Sequence, residues 1–265
     1  MSYTGSRNGQ TVTLGPQIAQ GGEGRIHVVE GAPGMVAKIY SEASGPPNER
    51  KQNADERARK THKLQAMVGV ADETLQKFTA WPQELLLDQS GEVRGFLMPR
   101  IDSPFDVHTL YSPKSRRDKF PAGDFRHVCA TATNVARAFG AVHDAGHVIG
   151  DINHAHMLVR PDMTVALIDV DSFQVNLDDT LHTCDVASLN FQPPELQSVN
   201  DFRGLTRTEN HDRFGLAVIL FHLLFMGRHP FAVKWTGVGD MPIDKAIAAG
   251  HFAFATGARN KHVHQ

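Results

Sequence analysis

Through the first hundred residues, apolar and polar positions alternate in short runs, and this pattern predicts strands. Thr11–Leu14 and Arg25–Val29 flank the turn Gly21-Gly22-Glu23-Gly24, and Gly34–Tyr40 follows the turn Gly31-Ala32-Pro33-Gly34. Glu84–Leu87 and Glu92–Met98 read as a hairpin around Asp88-Gln89-Ser90-Gly91. A polar stretch, Ser41 to Asn53, leads into a segment from Glu49 to Met67 rich in Lys, Arg, Ala and Glu. Its spacing predicts a helix. The expectation is a five-stranded antiparallel sheet with one helix over residues 1–100.

From residue 101 to 265 the period changes from two to nearly four. Asp124 to His143 reads as an amphipathic helix capped by Asp124, with Phe125, Val128, Ala132, Val135, Phe139 and Val142 on one stripe. Short strands are expected at Met157–Val159 and Val165–Ile168. Asp212 to Met226 reads as a helix buried on most sides, and Pro242 to Ala249 as a short helix closed by Gly250. The boundary between a mixed first part and a mainly helical second part falls near Pro99–Ser103. The fold class is therefore α+β.

Composition narrows the function. A net charge of −2 over 265 residues argues against a protein built to grip nucleic acid or an anionic membrane. Two cysteines, Cys129 and Cys184, make no disulfide framework, so a reducing cytoplasm is the expectation. The start MSYTGSRNGQ lacks the basic and apolar regions of a signal peptide. The apolar run Leu216–Met226 includes His222 and is too short to span a bilayer. Fifteen histidines raise a metal question. His143 and His147 read as ordinary residues at a helix end and turn. His154 and His156 form an HxH pair, but no CxxC or HExxH accompanies them. Lys261, His262, His264 and Gln265 make a polar tail, expected to be disordered.

Three local features carry chemistry. The turn Ala19-Gln20-Gly21-Gly22-Glu23-Gly24-Arg25-Ile26 lets backbone N–H groups approach phosphate oxygens, though an ordinary hairpin reads the same way. Lys38, inside the apolar strand Val36-Ala37-Lys38-Ile39, needs a partner for its charge unless it faces solvent at an edge. Asp151 in Ile149-Gly150-Asp151-Ile152-Asn153 and Asp169 in Leu167-Ile168-Asp169-Val170-Asp171 each sit beside an apolar run. Carboxylates placed so can accept a hydroxyl proton or hold Mg²⁺, and a single Asp can equally be a turn cap.

Taken in order, these features resemble a protein kinase domain. The resemblance spans Gly15 to Gly250 and implies a bilobed fold, N-lobe 1–100 and C-lobe 101–265, that binds ATP with Mg²⁺. Gly21, Gly22 and Gly24 resemble the glycine-rich loop over the phosphates, with Ala19 where the first glycine is usual. Lys38 resembles the phosphate-pairing strand lysine, Asp151 the catalytic-loop aspartate, and Asp169 the metal-binding aspartate of the DFG position. Pro193-Pro194-Glu195 is similar to the APE end of the activation segment. Asp212-Arg213-Phe214-Gly215 is similar to the helix whose aspartate anchors the catalytic loop. Gly227-Arg228-His229-Pro230-Phe231 resembles the loop that follows that helix. The resemblance places adenine against Met98 to Ile101, with backbone groups near Arg100 and Ile101 as partners. Val36 or Ala37, with Ile26 and Leu158, would wall it in. The pair GDIN and LIDVDSFQV resembles atypical bacterial Ser/Thr kinases of tellurium-resistance-type phosphorylation triads. That subgroup implies a von Willebrand-type partner and a PP2C-like phosphatase.

Departures from the pattern set further expectations. Gly150 replaces the Arg of HRD, so no neighbouring guanidinium is expected to order the activation segment. Asn153 stands where a γ-phosphate Lys is usual, so less transition-state stabilisation is expected from this catalytic-loop position. His156 stands at the second metal-binding position, which raises the prospect of Mn²⁺ in place of Mg²⁺. Val170 and Asp171 replace the Phe and Gly of DFG. For the helix glutamate that pairs with Lys38, Glu56 and Glu49 are the candidates and Glu56 is chosen, although Lys60 falls near the expected place. The family continues with further helices, one bearing an Arg for the APE glutamate. Here the expectation is a fold truncated after 242–249, or another partner for Glu195. A nucleotide-binding pseudokinase and a small-molecule phosphotransferase are the competing readings.

Overall fold

The computed structural model describes residues 1–265 except 42–46, 71, 103, 256–262 and 265, together with the side chains of 47–54 and 264. These residues divide into two compact units. The first comprises Met1–Asp102, Ile168–Asp171 and Leu177–Thr180, and the second Ser103–Leu167, Ser172–Asn176 and Leu181–Gln265.

The first unit is a closed six-stranded antiparallel sheet, not the five-stranded one expected. Its strands are β1 (Ser2–Gly5), β2 (Thr11–Gln20), β3 (Gly24–Val29), β4 (Met35–Tyr40), β5 (Glu84–Leu87) and β6 (Val93–Pro99). The order is β1-β2-β3-β4-β6-β5. The sixth strand is β1, which pairs with β2 through Tyr3↔Val12 and with β5 through Thr4↔Leu87. Closure removes the exposed edges that an open sheet would leave.

Strand alternation sorts β4 into two faces. Ala37 packs inside the barrel with Val12, Leu14, Val29 and Leu86, flanked by Met35 and Ile39. Val36, Lys38 and Tyr40 therefore share the opposite face. Across the ladders, Val36 is opposite Met98, and Lys38 is opposite both Ile26 and Phe96. Helix α1 (Pro47–Val68) buries Leu64, Met67 and Val68. The Trp81 indole N–H donates to the Met67 carbonyl at 2.9 Å, fixing the helix end. A short helix α2 (Glu73–Phe78) follows, its first turn capped by the Asp72 carboxylate accepting from the Leu75 N–H.

The second unit opens with β7 (Phe105–Asp106) and the short helices α3 (His108–Tyr111) and α4 (Pro113–Lys119). Helix α5 (Phe125–Asp144) starts at Asp124, whose side chain accepts from the N–H groups of Arg126 and His127. Its buried stripe contains Val128, Ala132, Val135, Phe139 and Val142, but the expected member Phe125 is exposed, since it precedes the first packed turn. Strands β8 (Met157–Val159) and β9 (Val165–Leu167) form a small sheet with β7. Helix α6 (Glu209–Leu224) packs on α5 and buries Val218, Ile219 and Leu223. Helix α7 (Ile243–Ala248) has Pro242 at its cap position. Val263–His264 pairs with Lys234–Trp235, so this part of the tail is a strand, held by backbone bonds that side-chain polarity does not report. The tail residues Lys261, His262 and Gln265 lie outside the described residues. Among the described residues no helix is long and apolar enough to cross a membrane.

Candidate functional site

In the first unit Lys38 is drawn into an ion cluster. Its ammonium donates to Asp169 Oδ1 at 2.6 Å and to both oxygens of Asp171 at 2.7 and 2.9 Å. The Tyr40 hydroxyl donates to Asp171 Oδ2 at 2.7 Å, and Lys60 Nζ lies 3.5 Å from the same oxygen. Lys60 also pairs with Glu23 of the glycine-rich turn, and its ammonium sits 4.5 Å over the Tyr40 ring. Glu23 comes within 3.8 Å of Lys38.

Burial and charge oppose each other in this cluster. Burial works against the Lys38 charge, but Asp171 and then Asp169 outweigh it and hold the ammonium above its usual range. Burial works against the Asp171 charge too, yet Lys38 and then Lys60 hold the carboxyl well below its usual range. Burial, followed by the Asp171 charge, pushes the Tyr40 phenol upward. Lys38 and Asp171 are thus both charged near neutral pH, with the Tyr40 phenol protonated and donating.

The expected partner Glu56 is exposed on α1, and the carboxylates hydrogen-bonded to Lys38 are those of Asp171 and Asp169 instead. The side chain of Glu49 lies outside the described residues. The helix faces the cluster with a cation, Lys60, so a glutamate at that place has nothing to do there. Asp169 itself takes a left-handed backbone with φ 60°.

Carboxylate oxygens of Glu23, Asp169 and Asp171 lie within 4.8 Å of one another. An all-oxygen donor set suits Mg²⁺, so these residues fit that ion. Among the described residues this is the one group of three metal-capable side chains so placed, and the expected ligand His156 is not in it. His156 Nδ1 instead lies 3.3 Å from the Asp151 carbonyl and 3.9 Å from Asp151 Oδ2. The chemical ground for favouring Mn²⁺, a nitrogen ligand, is therefore missing from this group.

The glycine-rich turn is built by two different uses of glycine. A Cβ on Gly24 would fall 2.4 Å from the Ile39 carbonyl, so Gly24 lets β3 and β4 close. A Cβ on Gly21 or Gly22 would meet nothing within 4 Å, which leaves room for a ligand there, with the Gly21 N–H itself given to the Gly24 carbonyl at 2.9 Å. Ala19 pairs with Ile26 across the same turn. Of the expected adenine walls, Ile26 and Met98 belong to strand pairs on the Lys38 face, as does Val36, whereas its alternative Ala37 points into the barrel. Of the backbone groups expected to face adenine, the Arg100 N–H is already given to the Gly34 carbonyl at 2.9 Å. Ile101 follows it, half-buried. Leu158 is half-buried on β8 of the second unit.

In the second unit one buried carboxylate organises the loop that carries Asp151. Asp212 Oδ2 accepts from the Ile149 N–H at 2.7 Å and Oδ1 from the Gly150 N–H at 2.9 Å. His143 Nε2 lies 2.9 Å from Oδ2 as a third partner. The Gly150 carbonyl accepts from the Gln192 side chain at 2.9 Å. So held, Asp151 is buried with Oδ1 lacking any hydrogen-bond partner among the described residues. Asn153 is occupied at both ends: its oxygen accepts from the Ala155 N–H and its nitrogen donates to the Ser188 hydroxyl.

Gly150 needs its lack of a side chain. Its φ is 75°, and a Cβ would come within 2.9 Å of both Cys184 and Arg207 Nη1. A guanidinium does lie beside Gly150 even so, that of Arg207. It is buried and donates from Nη2 to the Val186 carbonyl at 2.6 Å. The sequence gives no motif for this, because Arg207 is remote from Gly150 along the chain. Glu195 has a partner as well, His211 Nε2 at 4.0 Å.

No protein-family model matches the chain. It is 43% identical over 225 residues to "Protein kinase YegI" of Escherichia coli strain K12, covering 84% of this chain and 33% of that one. To the protein of the same name in Escherichia coli O157:H7 it is 40% identical over 250 residues, covering 94% of this chain and 37% of that one. The chain thus spans about a third of the length of these relatives. Among solved structures it resembles "ROP18 kinase domain in complex with AMP-PNP and sucrose", with TM-score 0.58, 15% identity, and coverage of 86% and 68% of the two chains. It also resembles ROP2 from Toxoplasma gondii, described as a virulence factor with a protein-kinase fold and no enzymatic activity. There the TM-score is 0.59 and the identity 16%, over 87% and 69% of the two chains. The shared fold, the sequence identity to kinase-named relatives and the loop held by Asp212 lead to one statement: the chain belongs to a protein kinase-like family.

Proposed function

We propose that the chain is an ATP-dependent protein kinase that transfers the γ-phosphoryl group to Ser or Thr hydroxyls. The observation that carries this reading is Asp151, a buried carboxylate on a loop fixed by Asp212, with one oxygen left without a partner among the described residues. A carboxylate so placed can receive a proton from a hydroxyl group. The hydroxyl oxygen then forms a bond to the γ-phosphorus, the bond from that phosphorus to the bridging oxygen breaks, and ADP leaves with the bonding electrons.

The two units divide the labour. In the first, Lys38 pairs with nucleotide phosphates, the open backbone at Gly21 and Gly22 covers them, and Ile26, Val36 and Met98 line the adenine site. Asp169 would hold Mg²⁺, which when bound offsets the charge of the phosphate oxygens. In the second, Asp151 orients the hydroxyl and takes its proton. Asn153 shapes the loop and donates to Ser188, in keeping with a role in positioning. The partners implied by the triad resemblance, a von Willebrand-type protein and a PP2C-like phosphatase, and a cytoplasmic setting belong to this proposal. So does a place in bacterial signalling.

A nucleotide-binding pseudokinase is the second reading, favoured by Asn153, whose donor is already committed to Ser188. Incubation with γ-labelled ATP and Mg²⁺, beside a thermal-shift titration with the same nucleotide, separates the two. Transfer of label to the chain or to a protein acceptor supports the kinase. A nucleotide-dependent shift without transfer supports the pseudokinase, and neither outcome occurring removes both.

A further inference from the structure

Two departures from the family pattern meet in one ion cluster. The pattern has a helix glutamate beside the strand lysine and a glycine two positions after the metal aspartate. This chain has Lys60 near the first place and Asp171 at the second. The side chain of Asp171 is wholly buried, and it accepts two hydrogen bonds from Lys38 and one from Tyr40. A carboxylate removed from water persists only with such donors around it. Lys38 has three ammonium protons and directs them to the segment 169–171. Glu56 is exposed on the helix.

Resting on the nucleotide-binding reading above, we propose that Asp171 is the positioning residue for Lys38, replacing the helix glutamate, with Lys60 completing the neutralisation of Asp171. When nucleotide binds, Lys38 gives up its bond to Asp169 for a phosphate oxygen and stays tethered by Asp171. Its position is then set by the segment that carries Asp169, not by rotation of α1. The swap also explains why one chain carries both departures: a helix glutamate would face the buried carboxylate of Asp171 and repel it.

The test is a double-mutant cycle read by metal-free binding of ATP in calorimetry, with Asp171→Asn, Lys38→Met, the double variant and Glu56→Ala. Asp171→Asn and Lys38→Met each weaken binding about tenfold, from loss of a charged hydrogen bond. The double variant is no weaker than either single one, because both remove the same positioned ammonium. Glu56→Ala stays within about twofold. If Asp171 and Lys38 act on binding independently, the losses add to about a hundredfold in the double variant, and that result overturns the proposal. So does wild-type affinity in Asp171→Asn, or a loss in Glu56→Ala equal to it. Should Asp171→Asn not fold, Tyr40→Phe removes one bond to Asp171 and little volume. It is expected to weaken ATP binding about threefold in the wild-type background and not at all beside Lys38→Met; no effect in either background overturns the proposal. The same cycle run by denaturant unfolding needs no nucleotide. If the wild-type protein fails to bind ATP, the kinase reading falls. The Lys38–Asp171 pairing is still decided by whether the unfolding effects are coupled or additive.

Discussion

The cluster at Lys38 and the loop at Asp212 solve the same problem, a charged group in a buried place, by different means. In the first unit two lysines and a phenol are shared among three carboxylates. In the second, the Asp212 carboxylate is satisfied by two backbone N–H groups and a histidine ring. The first device is made of side chains, so each member can be exchanged if another compensates, and this chain has exchanged two of them. The second is made mostly of backbone, which fixes a loop geometry and leaves little to exchange. The lesson is that a motif read by its backbone bonds is legible, while one read by its charges has to be counted as a set.

The predictions that break this comparison run from large to small. Asp212→Asn should cost about 3 kcal/mol of stability in chemical denaturation, because the amide cannot accept from two N–H groups and an imidazole together. A loss below about 1 kcal/mol would mean that the loop is held elsewhere.

Acid should act next, and on the second unit. His222 is pushed down to about 4 by burial, partly opposed by its contact with the Gly227 carbonyl, with His229 and His154 adding to the downward shift. Burial lowers His229 as well, although its contact with the Asn190 carbonyl opposes this. The Phe231 N–H donates to His229 Nδ1, which a protonated ring could not accept. The Tyr111 ring stacks on His222 and the Phe191 ring meets both histidines, while His154 packs on Tyr111 and Phe191. An unfolded histidine gains its proton near 6.5, so between about pH 6.5 and 4 the unfolded chain binds more protons and stability falls with pH. The loss should reach about 2 kcal/mol and be largely absent in His222→Phe. The ion cluster of the first unit should hold through this window, because Asp171 stays ionised below it.

Gly24→Ala should cost about 2 kcal/mol through the clash with the Ile39 carbonyl, whereas Gly22→Ala should stay within about 0.5 kcal/mol. If the second variant nonetheless weakens ATP binding, the open backbone at Gly22 is a ligand contact and not an ordinary hairpin.

The sequence exposed the strands and helices whose side chains alternate or form a stripe. It hid β1, because Ser2–Gly5 has no apolar alternation and is held by backbone pairing on two sides. It ordered Lys38, Asp151, Asp169 and Asp212 along the chain, since each sits in a run with a recognisable period. It left open whether Val36 or Ala37 lies with Lys38, although period-two alternation puts Val36 on the Lys38 face and Ala37 in the barrel. Asp171, Tyr40, Lys60 and Glu23 were not separable as a site by spacing, because they come from four different elements and join only through charge. Arg207 at Gly150 was hidden for the same reason, and a buried arginine far along the chain leaves no local signal.

The most direct measurement pairs ATP binding with phosphoryl transfer in Asp151→Asn. The variant should bind ATP as the wild type does, since its role lies with the acceptor hydroxyl, and should transfer label about a thousandfold more slowly. Transfer at the wild-type rate would contradict the role given to Asp151, and loss of ATP binding would contradict the division of labour between the two units.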